Sequence, residues 1–177
     1  DTLKPYLDSG KLVVTSGQNT FEVVATPAWK SETAQARFDT ILSSYYADAL
    51  TGGTKLDIAL CSNDSTALGV TNSLVAAGFT AENIPVITGQ DCDIANTKNM
   101  IAGLQAMSVF KDTRTLAEQT VKMVSDILNG KTPETNGVYD NKVKEVPSFN
   151  CTPVFADASN YKTLLIDSGY YTEDQLK

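Results

Sequence analysis

Residues 56–112 read LDIALCSNDSTALGVTNSLVAAGFTAENIPVITGQDCDIANTKNMIAGLQAMSVFKD. The stretch falls into units of one kind: a short apolar or β-branched run, a polar loop, then a helical pattern stopped by glycine. The first unit has the strand Leu56–Leu60, the loop Cys61-Ser62-Asn63-Asp64, and a helix through Leu68, Leu74 and Val75 that ends at Gly78. The second has the strand Ile84–Ile87, the loop Gly89–Asp93, and a helix from Ile94 to Ala102 before Gly103. A third strand, Leu104–Val109, passes through Phe110-Lys111-Asp112 into an amphipathic helix, Thr113–Leu128, ended by Gly130. Its apolar stripe of Leu116, Val121, Val124, Ile127 and Leu128 reads as a buried helix face. Sequential βα units make an α/β fold with a doubly wound parallel sheet covered on both faces. Right-handed crossovers then bring every post-strand loop to one edge, where such sheets bind ligands.

The flanks extend the pattern. A helix over Thr2–Ser9, stopped by Gly10, leads to a strand over Lys11–Thr15. A loop containing Trp29 reaches a helix over Ser31–Leu50, whose Ala34, Phe38, Ile41, Leu42 and Tyr45 share one stripe. After Gly130 the rhythm fails: Lys131–Asn141 is a polar loop, Val143–Phe149 a strand, and Tyr161–Ser168 a last helix. DTLKPYL reads as the middle of a helix with no initiator methionine, so an upstream portion of a longer protein is expected.

The chain's 177 residues, 42% hydrophobic and 20% charged, suit a soluble globular protein with a sizeable core. A net charge of -7 without histidine opposes nucleic-acid binding, which needs a clustered basic surface. Cys61, Cys92 and Cys151 have no metal-ligand spacing and read as small buried hydrophobes; their odd number, taken alone, favours a reducing compartment. The sequence has no histidine base, GxSxG elbow, phosphate loop, GxGxxG or CxxC, so no enzyme activity, cofactor or metal is expected. A flavodoxin-like enzyme or signalling domain would carry an aspartate after its first strand, where this chain has Thr15-Ser16-Gly17-Gln18.

What the edge loops supply is Trp29, Asn63, Asp91 and Lys111, one from each unit. The set suits a sugar. An aromatic ring stacks on the C–H face of a pyranose, a carboxylate accepts from two hydroxyls, an ammonium donates, and an amide does both. Asn63 and Asp64 both precede a helix; the cap is assigned to Asp64, which leaves Asn63 free to face ligand, and Asp112 caps the helix from Thr113. On local rules alone, Asp91 also reads as a turn former and Lys111 as a solvated charge.

TAQARFD (33–39), NDSTALGV (63–70), PVITGQD (85–91), VFKDTRTLAEQTVKMV (109–124) and NYKTLLIDSGYYTEDQL (160–176) resemble the type I periplasmic sugar-binding proteins, most closely the multiple-monosaccharide-binding branch of ABC importers. The resemblance covers nearly the whole chain as the C-terminal portion of such a protein. It implies a Rossmann-like lobe, with Trp29 as the stacking aromatic, Asn63 as the amide ligand, Asp91 as the carboxylate ending GQD, and Lys111 at a crossing between lobes. It further implies that residues 1–110 form the C-terminal sugar-binding lobe, 111–149 belong to an absent N-terminal lobe, and 150–177 return to the first. The apolar face of 111–149 then needs a partner, through self-association of the chain or by redocking on its own sheet. The implied function is capture of a monosaccharide between two lobes and delivery to a membrane permease, in the periplasm or at the cell surface as a lipoprotein. The effector-binding core of a lactose-repressor-type transcription factor shares this fold and is the alternative; the YYTEDQL tail favours the importer proteins.

Overall fold

The structure is a computed structural model and describes residues 2–177. The helices are α1 (Lys4–Asp8), α2 (Phe21–Val24), α3 (Ser31–Tyr45), α4 (Asp64–Ala76), α5 (Ile94–Ile101) and α6 (Thr113–Leu128). The strands are β1 (Ile58–Ala59), β2 (Val86–Ile87), β3 (Ser108–Phe110), β4 (Gly137–Asp140), β5 (Glu145–Ser148) and β6 (Val154–Ala156).

β1 and β2 pair in parallel, Ile58 opposite Val86 and Ala59 opposite Ile87. β3 continues the layer in the same sense through a parallel bridge between Gln90 and Val109, with Val109 N–H donating to Gly89 O at 3.0 Å and Asp91 N–H to Val109 O at 2.9 Å. β6 returns antiparallel on the far side of β3. The expected strands over 56–60, 84–87 and 104–109 are thus present but shorter, the last displaced toward Phe110. The α/β architecture and the alignment of the loops after β1, β2 and β3 at one edge follow the reading of the sequence.

One core cluster joins Leu42 of α3, Ala67, Val70 and Leu74 of α4, Phe79, Ala59 and Ile87. A second joins Cys92, Met100 of α5, Phe110, Ala156 and Leu165. α3 and α4 lie so close that a Cβ on Gly69 would overlap Ser31 O and come 2.9 Å from Gln35 N, which explains a glycine inside a helix despite its poor propensity. Leu165 sits in a π-helical turn over Lys162–Asp167, where the expected last helix falls.

Four expectations are corrected. Lys11–Thr15 forms no strand: Val13 is 75% exposed, no strand among the described residues pairs with the outer edge of β1, and an unpaired run cannot satisfy its backbone as a ladder does. The Lys131–Asn141 segment is not all loop, because β4 closes an antiparallel hairpin onto β5, with Val138 opposite Pro147 and Tyr139 opposite Val146. The helix from Ser31 ends at Tyr45, and Ala49–Thr51 forms a separate 3-10 turn. Finally, no residue of α6 is buried: Val121 is 69% exposed and Leu128 80%, so the helix is not redocked on its own sheet. Periodicity reports that a face is apolar, but it does not supply the surface that covers it. The sheet has a similar open side, where Ile58, Leu60 and Val86 are exposed opposite the buried Ala59 and Ile87.

Candidate functional site

The loops after β1, β2 and β3 are stitched together below the edge. Cys61 N–H donates to Thr88 Oγ1 at 2.9 Å, Thr88 Oγ1 donates back to Cys61 O at 3.0 Å, and Asp64 N–H donates to Gln90 O at 2.8 Å. This backbone frame brings Asp91 and Lys111 together, with Lys111 Nζ 2.9 Å from Asp91 Oδ1. Both side chains keep more than a third of their surface open to solvent, so the pair contributes under about 1 kcal/mol to stability. It places a donor and an acceptor side by side at the loop edge.

Asn63 occupies the adjacent loop and is buried. Its placement corrects the assignment of caps: Asn63 is the N-cap of α4, its Oδ1 accepting from Thr66 N–H at 3.0 Å and from Thr66 Oγ1 at 2.8 Å. The Nδ2 amino group makes no hydrogen bond among the described residues, which leaves it as the donor this residue can offer a ligand. Asp112 caps α6 as expected, accepting from Arg114 N–H at 2.9 Å; the Arg114 guanidinium, with this backbone bond beside it, holds its carboxyl below the usual range.

Trp29 is 52% exposed and stands in a turn where Ala28 and Trp29 have φ of 53° and 57°. α3 starts two residues later, and Ser31 abuts Gly69 in the first half of α4, so Trp29 precedes the end of α3 that lies toward the Asn63 end of α4. Its indole makes no hydrogen bond among the described residues. The structure thus joins Asp91 with Lys111, places Asn63 in the next loop, and puts Trp29 in the exposed turn before α3.

The residue that sequence reasoning missed is Asp64. It is fully buried, at the first helical position of α4. Its Oδ2 accepts from Asp93 N–H at 2.8 Å, and Oδ1 accepts from Ser108 Oγ at 2.8 Å and Gln105 Nε2 at 3.1 Å. Burial pushes its carboxyl up to about 6 against these bonds, which pull it down. Burial also pushes up the thiols of Cys61 and Cys92, each to about 12, and the carboxyl of Asp93, where the Asp91 charge adds to the effect. The signal in the sequence was an acidic residue in a first helical turn, which ordinarily marks nothing more than a favourable dipole interaction. The C-terminal tail closes on the same loop, with Tyr171 donating its hydroxyl to Cys92 O at 3.0 Å and Tyr170 lying edge-on to Phe110.

The sequence model of the periplasmic binding protein domain matches residues 2–132. The chain belongs to the periplasmic binding protein domain family. Within it, this domain is 48% identical to the multiple sugar-binding periplasmic receptor ChvE of Rhizobium radiobacter, over 99% of this chain and 49% of the receptor. It is 32% identical to the D-xylose-binding periplasmic protein of Escherichia coli, over 98% of this chain and 48% of that protein. Among solved structures, it is similar to an ABC transporter solute-binding protein from Clostridium phytofermentans with bound β-D-glucose, at 63% identity and a TM-score of 0.93, covering 100% of this chain and 53% of the other. The domain spans about half the length of these relatives. These relatives are a sugar-binding periplasmic receptor, a xylose-binding periplasmic protein and an ABC transporter solute-binding protein, in line with the importer resemblance rather than the repressor alternative.

Proposed function

We propose that this chain forms most of one lobe of an ABC-importer solute-binding protein, which captures a monosaccharide between two lobes outside the cytoplasm and delivers it to a membrane permease. The observation that carries the reading is the Asp91–Lys111 pair at 2.9 Å, set beside Asn63 at the loop edge of a parallel sheet. A sugar hydroxyl both donates and accepts, so a carboxylate, an ammonium and a free amide hydrogen together meet the needs of adjacent hydroxyls. Trp29, exposed in the turn before α3, supplies the apolar ring for a C–H face. Closure of a second lobe over this edge would exclude water and strengthen every such bond. No bond is made or broken in this cycle, and the function requires no cofactor.

The proposal divides the chain into residues 1–110 and 150–177 as one lobe and 111–149 as a segment of the other. The exposed stripe of α6 and the solvated β4–β5 hairpin support this, because both leave apolar groups such as Val121, Leu128 and Val138 without cover. Return of the chain at β6, paired to β3, supports the second boundary.

The test is isothermal titration of the complete protein with a panel of pentoses and hexoses that includes D-glucose and D-xylose. Binding of at least one sugar is expected, with Asp91→Ala weakening it by about 2–4 kcal/mol, since truncation leaves hydroxyls and the Lys111 ammonium unpaired. An unchanged dissociation constant would remove Asp91 from the site.

A further inference from the structure

The edge loops owe their mutual placement to a network beneath them. Asp91 and Cys92 have φ of 107° and 54°, two consecutive left-handed residues, neither of them glycine. Such a turn is strained for any residue with a Cβ and persists only where its surroundings hold it. Here the next two amides are both fastened: Cys92 N–H donates to Ser108 Oγ at 3.1 Å, and Asp93 N–H donates to Asp64 Oδ2 at 2.8 Å. Ser108 in turn donates to Asp64 Oδ1. Both fastenings therefore end on one carboxylate.

That carboxylate is sealed in. Asp64 and Ser108 are each fully buried, and Asn96 and Gln105 nearly so. Asn96 Nδ2 donates to Asp64 O at 2.9 Å and to Gln105 Oε1 at 2.7 Å, which fixes Gln105 to donate to Asp64 Oδ1. Gly89 completes the fit, because a Cβ there would overlap Asp64 Oδ1 and lie 2.5 Å from Gln105 Nε2. Asp64 also follows Asn63 directly, and its own N–H holds Gln90 O, one residue before Asp91. Ser108 lies three residues before Lys111. One buried side chain thus ties the Asp91 loop to the start of β3, the strand that leads to Lys111, from the residue next to Asn63, without reaching the surface where a ligand would sit.

We propose, resting on the reading of this edge as a sugar site, that Asp64 is its positioning residue: the buried carboxylate holds Asp91 in its left-handed turn and sets it against Asn63 and Lys111. All its partners are donors, as an ionised carboxylate requires. Asp64→Asn keeps the shape and turns one acceptor oxygen into a donor, so an N–H must face either Asp93 N–H or the Ser108 and Gln105 donors. The turn then loses a fastening and Asp91 drifts from Lys111.

The test uses the complete protein as wild type, Asp64→Asn, Ser108→Ala and the double variant, titrated with D-glucose and D-xylose, with amide NMR spectra of the sugar-free proteins. Asp64→Asn is expected to weaken sugar binding tenfold or more, and Ser108→Ala by less. The double variant should bind less weakly than the product of the two losses, since both act through one network. In the sugar-free spectra the amides of Asp91, Cys92 and Asp93 should move and exchange faster, while those of α3 hold. Binding by Asp64→Asn within twofold of wild type overturns the proposal, as do amide changes spread evenly over α3 and α4, which mark a general loss of packing. Should Asp64→Asn not fold, Ser108→Ala decides: unchanged affinity together with unmoved amides at 91–93 overturns it. Should the wild type bind no sugar, the sugar reading falls, and the sugar-free spectra still report whether Asp64 holds the turn.

Discussion

Replacing Gly69 with alanine sets two magnitudes against each other at one site. Alanine in place of glycine inside a helix gains about 1 kcal/mol through backbone propensity. Against this, the new Cβ would overlap Ser31 O and come 2.9 Å from Gln35 N, both backbone atoms of α3 that no rotamer change can remove. α3 and α4 would have to separate by a substantial part of an ångström, opening the cluster of Leu42, Val70 and Leu74. Overpacking of this kind costs about 1–3 kcal/mol, and rigid backbone on the receiving side favours the upper part of that range. Gly69→Ala should therefore destabilise by about 1–2 kcal/mol net, read by urea denaturation with an unchanged slope and by a lower melting temperature. Because α3 begins two residues after Trp29, its displacement also moves the indole, and sugar affinity should fall in the same variant. A rise in stability of about 1 kcal/mol would show that propensity wins and that the approach of the two helices is looser than this geometry requires.

Asp64 should leave its mark on the pH dependence of stability. Below pH 3.8 the carboxyl is protonated in folded and unfolded chains alike, and its contribution is fully present; as pH rises from there to about 6 the unfolded chain loses the proton first, and stability falls. At about 1.4 kcal/mol per unit the loss totals about 3 kcal/mol and levels off above pH 6. Unfolding free energies of wild type and Asp64→Asn, compared between pH 4 and 7, should show a fall steeper in the wild type by this amount, since Asp93, also raised by burial, contributes to both profiles; parallel profiles would rule it out. The thiols of Cys61 and Cys92, pushed up to about 12 by burial, should resist maleimide at pH 8 in the native protein and react on unfolding. Rapid native labelling of Cys92 would contradict the burial on which the second core cluster rests, and of Cys61 the packing of that residue against the first.

Where local rules and tertiary structure coincide, the sequence was enough. α6 runs from Thr113 to Leu128 with Asp112 as its cap, as the alternation of polar and apolar residues and the following glycine imply. Its environment was not legible, because the periodicity that predicts a buried face is the same whether the covering surface exists or not. Strands were legible in proportion to their partners. LDIAL and PVIT find each other and pair, whereas KLVV at Lys11–Val14, equally suited by composition, has no neighbour and forms no ladder. β-propensity measures fit to a pleated, half-buried surface, so it cannot create a strand where that surface is missing.

The adjacent pair Asn63 and Asp64 marks the limit of reading a site from residue types. Asparagine and aspartate cap helices about equally well, so the cap rule could not choose between them. What separates them is solvation. A neutral amide can serve as the cap through its oxygen and still direct an N–H elsewhere, at little cost if the second group stays near solvent. A buried carboxylate survives only if donors surround it, and Asp93 N–H, Ser108 and Gln105 converge on Asp64 and not on Asn63. Those donors come from 29 to 44 residues further along the chain, beyond the reach of any local motif. The exchange of roles leaves Asn63 with a free donor beside Asp91 and Lys111, and it turns Asp64 from a helix cap into the anchor of the loop on which the proposed carboxylate ligand stands.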